Sequence, residues 1–290
     1  MADALARLAA GFAPLTLAEL EARAELRQRV DRKYVVPLER LESLLRQLVD
    51  SFAVLEIDGR RQFTYRTTYF DSPSLTTYRA HVQQRRRRFK CRSRHYVESG
   101  LNFFEVKLKG RRGETVKERL PSPPELHDIF GEEARNFLRE RLSAHYGTEL
   151  GEEFHPALHM RYSRLTLASL DLAERLTLDA ALSFRGANGA ATAMAPEYAI
   201  VESKSTRGRG IADRRLCALG FRPIPCSKYC LGIALTRDEV RGNEFLWLAR
   251  RHFLAMPRSP LAPRFHSAEI TGSHLHPRLA PAEATPERGP

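Results

Sequence analysis

Acidic side chains are in short supply. The 290-residue chain carries 35 aspartates and glutamates against 47 lysines and arginines, a net charge of +12 and a pI of about 9.9. A balance this basic argues for an acidic partner: nucleic acid, an anionic membrane or a phosphorylated small molecule. Cysteine is also sparse. Of Cys91, Cys217, Cys226 and Cys230, only the last two are closely spaced, and no second pair offers metal-ligand spacing. A disulfide framework is therefore excluded and the four read as reduced, partly buried thiols. No stretch approaches the roughly 18 consecutive apolar residues of a membrane-spanning helix, and Met1–Pro14 has no signal-peptide core with a cleavage site. These absences predict a soluble, cytoplasmic protein.

Familiar catalytic signatures are missing as well. Gly208-Arg-Gly210 is too short for a phosphate loop, and no Walker-type Gly/Lys/Ser run exists. No Ser/His/Asp or Cys/His arrangement announces a nucleophile. His81, His95, His127, His145, His155 and His159 are scattered without ligand spacing.

What is present is enough apolar material, 42% of residues, for one large domain. Leucine spacing predicts helix over 15–28, a strand over 29–36 stopped by Pro37, and an amphipathic helix over about 37–49. Strands are predicted at 64–70, 86–97, 101–109 and 114–120, with a helix over 123–146. A second strand-rich region covers 159–169, 174–184, 198–205 and 222–225, followed by helix over 237–254. The fold class is α+β. Residues 1–24 read as an N-terminal helical extension, 25–255 as the main domain and 256–290 as a disordered Pro-rich tail.

The strands are charged on one face. Side chains alternate across a strand, so Arg88, Lys90, Arg92 and Arg94 share a face, as do Glu105, Lys107 and Lys109 opposite Phe104, Val106 and Leu108. Lys117 and Arg119 stand together opposite Val116 and Leu120. Arg175, Thr177 and Asp179 oppose Leu176 and Leu178, and Glu202 pairs with Lys204. An ordinary antiparallel sheet with one solvated face would look like this strand by strand. Like charges stacked on three consecutive strands, however, repel one another unless an anion compensates them. A closed or cupped sheet around a polyanion supplies that compensation. The few carboxylates on these faces, Asp31, Glu105, Asp179 and Glu202, suit either salt bridges to the neighbouring cations or a divalent metal shared with phosphate oxygens. The Arg85–Arg88 run leaves nucleic-acid binding as a weaker match, since the Lys-Gly-Arg-Arg run at 109–112 has no aromatic pattern of an RNA-binding strand.

Five segments in order carry a resemblance: Arg29-Val-Asp-Arg-Lys-Tyr-Val-Val-Pro37, Phe89-Lys-Cys-Arg-Ser-Arg-His-Tyr96, Phe103-Phe-Glu-Val-Lys-Leu-Lys109, Val201-Glu-Ser-Lys204 and Cys226-Ser-Lys-Tyr229. Together they resemble the VTC polyphosphate polymerase domain of the triphosphate tunnel metalloenzyme superfamily, which includes the CYTH proteins, over roughly 25–235. The resemblance implies an antiparallel β-barrel tunnel flanked by helices. It also implies transfer of the ATP γ-phosphate onto a growing inorganic polyphosphate chain with Mn²⁺ or Mg²⁺.

By the same resemblance, Lys33, Arg92, Arg94, Lys107, Lys204 and Lys228 are the expected catalytic cations. Lys90, Lys109, Lys117, Arg119, Arg161 and Arg175 would bind phosphate, and Glu202 and Glu105 the metal. Hydrolytic relatives carry Glu-x-Glu-x-Lys in the first strand where this chain has Arg29-x-Asp31-x-Lys33, which favours the polymerase branch over a triphosphatase. Pro225 stands where a further lysine would be expected. The alternatives are an inorganic triphosphatase and a non-catalytic module binding polyphosphate or nucleic acid. A separate membrane partner would be needed for export of the product.

Overall fold

A computed structural model describes residues 5, 7–22, 30–110, 115–171, 173–206, 208–240 and 242–256. The anticipated tail beyond Met256, Arg29, and part of the first anticipated helix lie outside the described residues.

The chain opens with a short strand, β1 (Ala13–Leu15), and helix α1 (Leu17–Ala22), then β2 (Val30–Pro37) and α2 (Leu38–Arg46). Proline at position 37 has no N–H to donate and ends the strand, while Leu41, Leu44 and Leu45 form the buried stripe of α2. Next come β3 (Phe52–Leu55), β4 (Gln62–Asp71), α3 (Thr76–Val82), β5 (Phe89–Tyr96), β6 (Asn102–Lys109) and β7 (Thr115–Pro121). Helix α4 (Glu132–Tyr146) begins with Glu132 and Glu133 at its positive end and stops at Gly147, whose φ of 63° a glycine adopts without strain. The second half comprises β8 (His155–Ser169), β9 (Glu174–Gly186), β10 (Ala191–Met194), β11 (Tyr198–Ser205), α5 (Ile211–Ala218), α6 (Lys228–Thr236), α7 (Leu246–His252) and β12 (Phe253–Met256).

Several elements differ from expectation. Leu15 lies in β1, which pairs in parallel with β3, because its apolar side chain is buried there beside Leu20, Ala53 and Leu55. Leu5, Ala9 and Phe12 pack into the main core with α2 and β9 residues. Helices α5 and α6 were not anticipated, being short and weakly amphipathic, and the helix expected over 237–254 ends at His252, after which Phe253–Met256 pair as β12 with β10.

The main sheet runs in the order β7-β6-β5-β4-β8-β9-β11-β2, and every pairing along it is antiparallel. Its outer face is covered twice. Tyr34, Val36, Leu165, Leu176, Leu178 and Val201 pack under α2 and α5, and Phe70, Cys91, Phe104, Val106 and Leu108 pack under α4. On the inner face, α6 lies against β8 and β9 with α3 beside it, burying Leu158, Phe184, Tyr229, Leu231 and Ile233.

The expected closed barrel is an open cup. Among the described residues β2 pairs only with β11 and β7 only with β6. The free edge of β2 is instead met by the segment anticipated as a strand at 222–225, which is irregular: Ile224 N–H donates to the Lys33 carbonyl at 2.8 Å. Three residues on, Ser227 Oγ accepts from Lys90 Nζ of β5 at 2.6 Å. A loop, rather than a strand ladder, bridges the two sides of the cup.

Candidate phosphate-binding site

Alternation along β5 sends Cys91 and Ser93 outward under α4 and turns Lys90, Arg92 and Arg94 into the cup. Register then gathers charge from neighbouring strands, since residues opposite one another share a face. Arg92 stands opposite Glu105, and Lys90 opposite Lys107, which in turn faces Lys117. At the other end of the sheet Glu202 is opposite Lys33 and Lys204 opposite both Asp31 and Arg175. The sheet curls enough for Lys107 to feel the fields of Asp31 and Glu202, and Lys90 that of Lys33.

Two of the four interior carboxylates are clamped. Glu105, 2% exposed, meets Arg92 at 2.6 Å, Lys117 at 2.5 Å and Arg94 at 3.8 Å. Although burial opposes its ionisation, Arg92, Arg94 and Lys117 hold its carboxyl well below the usual range. Asp179, fully buried, accepts from Arg164 through two nitrogens and from Lys228 at 2.6 Å. Glu202 is different: its ion pair is to Lys204, at 3.7 Å, beyond hydrogen-bond length. Burial would raise its pKa, but Lys204, Lys33, Lys228 and Arg164 together hold it far down, so it is ionised.

The cations respond to the same forces. Burial is the first cause lowering Lys90 and Lys107, with neighbouring cations adding to it. For Lys117, burial with Arg92 and Arg94 outweighs the pull of Glu105, bringing the pKa down to about 8. Lys228 goes the other way: despite burial, Asp179 and Glu202 raise it. Aromatic rings back several of these groups. Arg92 lies 5.6 Å from the Tyr69 ring, whose hydroxyl accepts from it at 2.9 Å, and Arg94 lies 5.5 Å from Tyr65. Within the cup, Arg94 Nε, Thr67 Oγ1 and Thr177 Oγ1 are buried with no hydrogen-bond partner among the described residues, and such atoms are costly unless something accepts or donates.

Lys33, Lys90, Arg92, Arg94, Lys107, Lys117, Lys204 and Lys228 thus stand on one inner surface. Lys109 follows Lys107 on that face at the end of β6, where its backbone is bonded to the Tyr146 hydroxyl. Arg119 lies over the Phe103 ring at 4.8 Å near the rim. Arg175 shares the face but donates to the Leu20 carbonyl at 3.2 Å at one end of the cup.

One expectation needs correction. Arg161 is exposed on the outer face, opposite Arg66 of β4, because Met160, Tyr162 and Arg164 hold the inward positions of β8. The inward arginine of the His-Met-Arg-Tyr-Ser-Arg run is Arg164, and the signal was available: Arg164 and Thr166 alternate with Leu165 and Leu167. Glu105, also expected at the metal, forms ion pairs with Arg92, Lys117 and Arg94 in this structure.

As for a divalent ion, the described residues hold no cluster of three or more His, Cys, Asp or Glu side chains suited to one. Mg²⁺ and its analogues are commonly held by one or two carboxylates with substrate phosphates completing the shell. Glu202, ionised and with no cation at hydrogen-bond distance among the described residues, fits that donor set.

The site is thus an antiparallel sheet curled around basic side chains, with α2, α4 and α5 packed on its outer face. The chain belongs to the VTC domain family, whose family model matches residues 28–237. No curated protein sequence matches it. Among solved structures it is similar to a candidate adenylyl cyclase from Hippeastrum with a dominant triphosphatase activity, at 14% identity over 71% of this chain and 96% of that one, TM-score 0.46. It is also similar to a candidate adenylate cyclase from Bacillus halodurans (13% identity, 69% and 94% covered, TM-score 0.40). A third is the PH1012 protein of Pyrococcus horikoshii (14% identity, 72% and 100% covered, TM-score 0.37).

Proposed function

We propose that the chain is a polyphosphate polymerase that transfers the ATP γ-phosphate to the end of an inorganic polyphosphate chain held in the cationic cup. The observation that carries this is the convergence of Lys33, Lys90, Arg92, Arg94, Lys107, Lys204 and Lys228 on one interior while two of its four carboxylates are clamped. A terminal phosphate oxygen of the acceptor attacks the γ-phosphorus, the bond to the bridging oxygen breaks, and ADP leaves. An anionic phosphate is already a nucleophile, so no general base is needed.

The cations hold both phosphate chains in line and neutralise charge spread over the transferring group, which is most of what phosphoryl transfer asks of a protein. Arg92 and Arg94 offer planar, two-pronged contacts that a lysine cannot. A Mn²⁺ or Mg²⁺ ion, held by Glu202 and phosphate oxygens, would supply further neutralisation. Incubation of the protein with ATP and Mn²⁺, with and without a short polyphosphate primer, tests the reading. A ladder of long chains on a gel is expected. Release of orthophosphate with no ladder would make it a triphosphatase, and neither product would leave a binding module.

A further inference from the structure

On the opposite side of the sheet from the cup lies a second basic recess. Three arginines from three adjacent strands converge there: Arg66 of β4, Arg161 of β8 and Arg185 of β9 line one cavity of about 250 Å³. Arg66 and Arg161 are directly opposed in the ladder, and Arg185 is opposed to His159, two residues along β8 from Arg161 and on the same face. Like charges in directly opposed positions repel. The floor between them is fixed: Thr68, fully buried, bonds to Asp128 and sits 3.1 Å from His159 Nδ1, while Asp128 approaches His159 at 3.2 Å and Arg66 at 3.9 Å. His127, beside it, bonds Asn102 at 2.9 Å. Asp128 is the one carboxylate in the lining, and no carboxylate among the described residues lies within ion-pair distance of Arg161 or Arg185.

We infer that this recess is a second anion site, which takes an inorganic phosphate group. Three guanidinium groups against one aspartate leave an excess of two positive charges, matching a phosphate dianion. Guanidinium forks suit tetrahedral oxyanions by paired N–H···O bonds, and the hydrogen-bonded floor gives the ligand a fixed depth. The parity of β9 helps to build it. Ala181, at φ 52°, is an extra residue in that strand, so Leu182 and Phe184 turn inward toward α6 and Arg185 outward to the recess. The inference is independent of the catalysis proposed for the cup, since the sheet separates the two sites.

The full chain, titrated with orthophosphate or tripolyphosphate while the arginine side-chain Nε–Hε NMR signals are followed, tests this. Arg161→Lys and Arg185→Lys variants assign the two signals. Both are expected to shift together with one saturable constant. In the R161A/R185A double variant, calorimetry should show that binding event weakened roughly tenfold or more, as for the loss of charge-assisted hydrogen bonds. Because both residues are exposed, the variant's folding is checked by its unchanged circular dichroism. Tighter binding of tripolyphosphate assigns the end of a chain as the ligand, and equal binding assigns the free ion. Shifts reproduced by sodium chloride at matched ionic strength would overturn the inference. So would an unweakened event in the double variant, or a response to a single-stranded oligonucleotide but to neither inorganic phosphate.

Discussion

Arg164 and Asp179 face one another across the β8–β9 ladder, and the guanidinium reaches both carboxylate oxygens, Nε to Oδ1 at 2.6 Å and Nη2 to Oδ2 at 2.8 Å. Lys228 at the start of α6 adds a third contact at 2.6 Å. One aspartate therefore ties the inner helix to the sheet and fixes a lysine of the site. Removing the charge leaves two buried cations without their counter-ion. Asp179→Asn should lower unfolding free energy by about 3–5 kcal/mol, read as a drop in the urea midpoint. A shift no larger than that of a surface substitution would show that the pair is not buried as described.

In the proposed reading, Glu202 is a carboxylate that would meet the metal. Glu202→Gln keeps the shape and removes the charge, so metal-dependent turnover of ATP should be lost. Binding of polyphosphate, measured by calorimetry, should be kept or slightly strengthened, because an anion has been taken from a cationic cup. Equal loss of both would contradict the assigned role.

Polyphosphate affinity should fall as pH rises. Burial and the fields of Arg92 and Arg94 bring Lys117 down to about 8, so it is charged at pH 7 and loses its proton as pH passes 8. Lys90 and Lys107 shift in the same direction. Between pH 7 and 9 the wild-type dissociation constant should climb. Lys117→Arg, charged throughout, should flatten the profile, and an identical profile would remove Lys117 from the cause.

Gly232 lets α6 approach the sheet. A Cβ there would collide with Leu158 Cδ2 and come within 2.7 Å of Phe184 Cδ1. Gly232→Val should push the helix away and cost about 1–3 kcal/mol. Because Lys228 opens the same helix, the rate should fall along with the denaturation midpoint.

Much of this site was legible in the chain, since the period of two along a strand is local. The alternation in Phe89–Tyr96 and Asn102–Lys109 places Lys90, Arg92, Arg94, Glu105 and Lys107 on one face whatever lies beside them. The polar rhythm of Arg164 and Thr166 against Leu165 and Leu167 was equally local. Ala181 was not: an inserted residue reverses parity only once a partner strand exists to count against.

The amino-acid order by itself determined which side chains share a face, and that these faces are basic. It could not determine which carboxylates remain available, because Glu105 and Asp179 are clamped by residues from other strands and a helix, brought near by register and curvature. Nor could it determine closure, where a loop bonded to the edge of β2 takes the place of a strand. Ion pairing and edge pairing depend on distances between segments far apart in the chain, and only folding sets those.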